Sequence, residues 1–291
     1  MTLADGASGG AFREITQVMY KRSVKALMKS RIALLAAALM SAAVVQPIAP
    51  AQEETAAPVE VTEAESLAVM KHAADMVIPM MPEMITYLRE VKDKESADRA
   101  ALRFAVDKVI MMGIGECLDT LGYDMKEMRT PEMMAYGMEF GKLESAFFKN
   151  KHYGSTLMAY AWDHAYGMEL AEPTAEEKAA AAKLLDEQDA KKTEDILATV
   201  HDLETADTAA HALVEKLIAH QLLTTAGHAP KERQRVSLSN KEAQQIEALH
   251  RAKFHGSLLL SIVASELIYL QNQPEETEDS PETLQVPTPA E

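Results

Sequence analysis

The chain has 291 residues, 29 of them basic and 45 acidic, for a net charge of −16, and it carries a single cysteine. So large an acidic surplus repels nucleic-acid phosphates and anionic membrane surfaces, which argues against a role in binding either. Low aromatic content, few glycines and abundant Ala, Leu, Glu, Lys and Met favour helices over sheet, so the expected fold class is all-α.

The first predicted element is a targeting segment. Residues 32–45, IALLAAALMSAAVV, form an apolar run preceded by Lys21, Arg22, Lys25, Lys29 and Arg31 and followed by Ala49-Pro50-Ala51. This is the pattern of a secretory signal peptide, cleaved after Ala51 at the end of a leader spanning residues 1–51. A membrane span needs about 20 apolar residues, and Gln46-Pro47 ends this run earlier, so no stable span is expected after cleavage. The polar stretch ahead of the run leaves Met1, Met19 or Met28 as the translation start. Export places the protein in the periplasm or outside the cell, and Cys117 has no partner there for an intramolecular disulfide. Its mainly apolar neighbours, from Met111 to Gly115 ahead of Glu116, suit a buried thiol acting as a small apolar side chain.

Residues 52–61 read as an acidic, proline-containing linker. Thr62 and Glu65 then form a capping box that opens a first helix running towards Val91, and Pro79 and Pro82 are expected to kink or break it near residues 78–81. The stretch that follows, VKDKESADRAA at residues 91–101, recurs as VHDLETADTAA at residues 200–210. Eight of the eleven positions are identical or Ser/Thr equivalent, which predicts an internal duplication. In each copy an aspartate, Asp93 or Asp202, is placed to N-cap the next helix. The small pairs Ala97/Ala101 and Ala206/Ala210 allow a neighbouring helix to approach closely.

Leu102, Ala105, Val109 and Met112 continue the second helix as one apolar stripe, and Thr130-Pro131 starts a third with Thr as N-cap and Pro at the first helical position. Lys151-His152-Tyr153-Gly154-Ser155 then matches Lys253-Phe254-His255-Gly256-Ser257 at an offset of 102 instead of 109, so the length difference falls in a loop. The favoured reading is a helix break at Gly154 and Gly256, with Ser155 and Ser257 capping a fourth helix. The second copy opens with the capping box of Thr174 and Glu177, whose helix is expected to reach Thr199. Its second helix spans about residues 204–225, and Ser239 with Glu242 forms the next capping box. The expected architecture is a tandem duplication of a three- to four-helix unit, residues 62–170 and 174–272. Residues 273–291, with four prolines and six acidic residues, form an acidic tail expected to be disordered.

The two paired signatures, V-x-D-x-E-[ST]-A-D and K-x-x-G-S-x-L, resemble those of small exported helical proteins of bacteria. The resemblance implies helical architecture and export. It carries over no catalytic residue.

Chemistry-bearing motifs are sparse. Glu247-x-x-His250 has di-iron spacing, but the second such motif is missing and Ser145 and Phe148 stand in its place in the first copy, so a solvent-facing helix is the better reading. Lys231, Arg233 and Arg235 read as a solvated basic loop. Haem-attachment, nucleophile-elbow, phosphate-loop and zinc-helix motifs are all missing, so no catalytic residue and no cofactor is expected. The expected function is an exported binding or structural module of the bacterial envelope, whose partner is an unidentified protein or envelope component. The alternative rests on methionine. All 14 Met beyond the leader lie between Met70 and Met168, and Met76, Met80 and Met84 with Cys117 and His72 present soft ligands suited to copper. Met as filler of an uneven core, or as an adaptable apolar binding surface, competes with that alternative.

Overall fold

A computed structural model of the chain describes residues 63–120, 130–165, 168–234 and 238–271. The leader, the linker, Thr62 and the acidic tail lie outside these residues, as does Arg235. The described residues hold nine α-helices and no strand: α1 (Glu63–Arg89), α2 (Lys94–Thr120), α3 (Pro131–Lys149), α4 (Thr156–Ala161), α5 (Ala175–Ala190), α6 (Thr193–Ala198), α7 (Leu203–Thr225), α8 (Asn240–Arg251) and α9 (Leu258–Gln271). None of them is long and apolar enough to cross a membrane.

Two long helices with buried apolar stripes build the centre. In α2, Ala97, Ala101, Phe104, Ile110, Ile114, Cys117 and Leu118 are buried, and in α7 so are Ala206, Ala210, Leu213, Val214 and Leu222. Both helices lack any large side chain at their alanine pairs, so neighbouring backbones can approach, and α2 packs directly on α7. The contact pattern then recurs: α2 packs on α4 as α7 packs on α9, α1 on α3 as α6 on α8, and the cross-contacts α2 with α9 and α4 with α7 are reciprocal. One main hydrophobic core draws on both halves of the chain. A smaller cluster of Ala181, Leu185, Ala219 and Leu223 ties α5 to α7.

Two expectations are corrected. The first helix does not break: α1 runs unbroken through Pro79 and Pro82. Each proline removes one amide donor, but Pro79 is exposed and Pro82 half-exposed, so the carbonyls left over can turn to water. Ala73, Val77, Met84 and Leu88 hold the opposite face in the core. The helix expected from Thr174 to Thr199 is instead two, because Lys191 and Lys192 leave the helical backbone, with ψ of 88° and 134°. The break lets α5 pack on α7 while α6 turns to pack on α8. Lys216 Nζ donates to the freed Lys191 carbonyl at 3.0 Å.

At Gly154 and Gly256 the chain does leave the helix, by a route more unusual than a single left-handed residue. Lys151, His152 and Tyr153 have φ of 49°, 53° and 55° ahead of Gly154 at 79°. Lys253, Phe254 and His255 have 51°, 49° and 52° ahead of Gly256 at 86°. Three consecutive non-glycine residues in this region cost roughly 1–2 kcal/mol each, so tertiary contacts must hold the turn. One is visible in both halves: Ser155 Oγ donates to Asp98 Oδ1 at 2.5 Å, and Ser257 Oγ donates to Asp207 Oδ1 at 2.6 Å.

Candidate functional site

The capping residues among the described residues begin helices. Ser96 N–H donates to Asp93 Oδ1 at 2.8 Å, Met133 N–H to Thr130 Oγ1 at 3.1 Å, and Met158 N–H to Ser155 Oγ at 2.9 Å. Glu177 N–H donates to Thr174 Oγ1, Thr205 N–H to Asp202 Oδ1, Glu242 N–H to Ser239 Oγ and Leu260 N–H to Ser257 Oγ. Hydrogen bonding to the Ser96 side chain holds the Asp93 carboxyl below its usual range, and bonding from the Thr205 backbone does the same for Asp202.

The soft-ligand set is distributed through the packing. Met84 and Cys117 are completely buried in the main core, while Met76 and Met80 are partly buried against it. Burial pushes the Cys117 thiol up to about 11, which keeps it protonated and unreactive. His72 Nε2 lies 3.4 Å from Asp207 Oδ2 without hydrogen-bond alignment. Glu247 pairs with Arg251 at 2.5 Å, and the His250 ring meets Phe254 edge-on. Arg233 is held by Asp186 and Asp189 at 2.9 and 2.6 Å, so it is neutralised within the fold. Among the described residues no three His, Cys, Asp or Glu side chains are grouped to hold a metal ion.

The unusual chemistry gathers where α3 ends, the left-handed turn follows and α4 stops. Asp163 adopts φ of 58°, and the chain reverses there with His164 N–H donating to the Ala159 carbonyl at 2.9 Å. Lys108 of α2 clamps this reversal from outside, reaching the Ala161 carbonyl at 3.0 Å and Asp163 Oδ2 at 2.6 Å. Trp162 and His164 are thereby presented side by side, ring centroids 5.9 Å apart. Trp162 packs between Phe104, Phe140 and Phe147, with centroids at 4.3, 4.9 and 5.6 Å. The left-handed turn drives His152 into the same cluster, 5.1 Å from His164.

Four nitrogens in this cluster have no hydrogen-bond partner: both of His152, Nδ1 of His164 and Nε1 of Trp162. His152 is completely buried and Trp162 nearly so. An unmade hydrogen bond at a buried polar atom costs about 1–3 kcal/mol, so this grouping sets the cluster apart from an ordinary core. Burial, reinforced by the neighbouring His164, lowers the His152 pKa to about 4. His164 Nε2 meets Glu144 Oε1 at 3.2 Å.

Above the cluster, α3 shows an apolar face to solvent. Met134, Met138 and Phe148 are 57%, 66% and 61% exposed, and with Gly141 and Ser145 they fall on one side of the helix by its 3.6-residue period. Phe140, Leu143 and Phe147 occupy the other side, against the core. A side chain at Gly137 or Gly141 would meet nothing within 4 Å, so this face is open. Phe148 links surface to cluster, its ring edge-on to His164 at 5.4 Å.

No protein-family model, no curated protein and no solved structure matches the chain.

Proposed function

We propose that this chain is an exported helical binding module, built from two copies of a three- to four-helix unit, that takes a cationic amphipathic helix of a partner protein onto the open face of α3. The observation that carries the reading is the exposure of Met134, Met138 and Phe148 on one side of a helix whose other side is packed. Large apolar side chains aligned on an exposed helix are typical of docking surfaces, and methionine adapts its shape to an incoming helix. The charge of −16 favours a partner with basic flanks, drawn in by long-range attraction.

Export is supported by the apolar run of residues 32–45, its basic approach and the Ala49-Pro50-Ala51 pattern. A periplasmic or secreted location follows from that reading. Duplication is supported by the recurring sequence stretches, the matched left-handed turns, the paired Ser–Asp hydrogen bonds and the reciprocal helix contacts. Copper handling by Met76, Met80, Met84, Cys117 and His72 draws less support, because Met84 and Cys117 are committed to the core.

The test is titration of the protein into a fluorescently labelled Leu/Lys amphipathic peptide, with a Leu/Glu peptide of the same pattern as control. Saturable binding of the Leu/Lys peptide is expected, weakened about tenfold or more by M134S/M138S/F148S, a loss typical of anchor side chains. Equal binding of both peptides, or no effect of the triple substitution, overturns the assignment.

A further inference from the structure

We infer that His152 and His164 form a two-imidazole site for a borderline divalent transition-metal ion of the zinc or copper class, with Glu144 as the carboxylate that orients His164. Three features of the cluster meet here. The first is the set of unpartnered nitrogens. His152 is completely buried with neither ring nitrogen bonded, and His164 Nδ1 is buried and unbonded.

The second is an internal comparison. The left-handed turn of the second half has the same backbone, the same serine and the same serine–aspartate bond, yet Phe254 stands where His152 does and is likewise buried. The turn therefore needs only a ring at this position. An imidazole there adds two polar atoms that the packing does not use. The partners of the cluster differ in the same way: Glu144, Trp162 and His164 have Ile246, Ala264 and Glu266 at the matching offset of 102.

The third is the tautomer. Glu144 Oε1, an acceptor, lies 3.2 Å from His164 Nε2, a contact that in a neutral ring only the Nε2–H tautomer makes and that leaves Nδ1 as the lone-pair nitrogen. A carboxylate behind one imidazole nitrogen is the common support of a metal-ligating histidine. The centroids of His152 and His164 are 5.1 Å apart. Two imidazoles sharing one tetrahedral ion at a metal–nitrogen distance of about 2.0–2.1 Å have centroids about 5 Å apart.

Imidazole suits zinc, copper and nickel, and oxygen-seeking calcium and magnesium are excluded. With two protein donors, water fills the remaining positions; Trp162 Nε1–H in the same cluster has no hydrogen-bond partner of its own. Binding is therefore weaker than at a structural site with four protein ligands. The His164 side chain keeps 20% exposure and Phe148 covers it edge-on, so an ion enters from the α3 face.

Trp162 is the chain's only tryptophan, and its fluorescence reports the site directly. The full chain, stripped with chelator, is titrated with Cu²⁺ and with Zn²⁺, following Trp162 emission and binding heat. One equivalent of saturable binding is expected, with quenching by Cu²⁺. H152F, which copies the second half, and H164N should each weaken binding at least about tenfold, with the helical circular dichroism of the protein retained. E144Q should weaken binding less than either. Binding unchanged in H152F and H164N, or Cu²⁺ binding that leaves Trp162 emission intact, overturns the site, as does the absence of saturable binding of either ion. Should H152F fail to fold, H164N alone decides, since its side chain is not fully buried.

Discussion

Ser155 and Asp98 lie 57 positions apart in sequence, yet the serine hydroxyl donates to Asp98 Oδ1 at 2.5 Å while its oxygen accepts from Met158 N–H at 2.9 Å. One side chain thus starts α4 and ties it to α2, directly after the left-handed turn that carries His152. Ser257 makes the same two bonds, to Asp207 and Leu260. The strained turn and the helix after it are held by a bond to the central helix of the same half.

Ser155→Ala removes a helix cap and leaves a partly buried carboxylate short of one donor. The expected loss is about 2 kcal/mol of unfolding free energy. Urea denaturation reads it, with the m-value checked for two-state behaviour. Ser257→Ala should cost a similar amount, and a large difference between the two would mean that the matched bonds do different work.

Glycine substitutions separate backbone strain from packing. Gly154 and Gly256 have φ of +79° and +86° with no atom within 4 Å of an added Cβ, so Gly154→Ala and Gly256→Ala should each lose about 1 kcal/mol through conformation alone. Gly115 sits inside α2, also with nothing within 4 Å, and Gly115→Ala should instead gain about 0.5–1 kcal/mol. Thermal unfolding of the three variants distinguishes the signs.

His228 contributes to the pH dependence. It is buried, its Nε2 has no partner, and burial lowers its pKa against the opposing pull of Asp98, with Lys94 and Lys178 adding to the lowering. An imidazole with a depressed folded pKa binds fewer protons folded than unfolded. Its contribution is therefore present above about pH 6.5 and is lost as the pH falls below that value. Stability of the wild type should drop more steeply from pH 7 to pH 5 than that of His228→Leu. Parallel curves would show that His228 does not titrate with folding.

Helix class and most helix starts were legible because they are local. A hydroxyl three residues ahead of a carboxylate, as in Thr174 and Glu177 or Ser239 and Glu242, needs no tertiary context to start a helix, and α5 and α8 begin there. Pro79 and Pro82 misled because their cost depends on which face meets water, and that is set by packing. The Lys191–Lys192 break was hidden for the same reason: nothing local stops the helix, and it is the separate partners of α5 and α6 that bend the chain. The ring cluster was missed altogether. His152 and His164 are joined by a left-handed turn, a six-residue helix and a reversal at Asp163, a path with no fixed motif spacing. The available signal was His152 standing opposite Phe254 in the matched stretch, a polar ring at a position where the other stretch is apolar.

Hydrogen exchange with and without the Leu/Lys amphipathic peptide tests the central claim most directly, because it locates contact without relying on substitutions. Slowed exchange should concentrate in α3 and in the turn and short helix after it, residues 131–165, with α5 to α9 unchanged. Protection centred on the second half, or none anywhere at saturating peptide, would contradict docking on the Met134–Met138–Phe148 face.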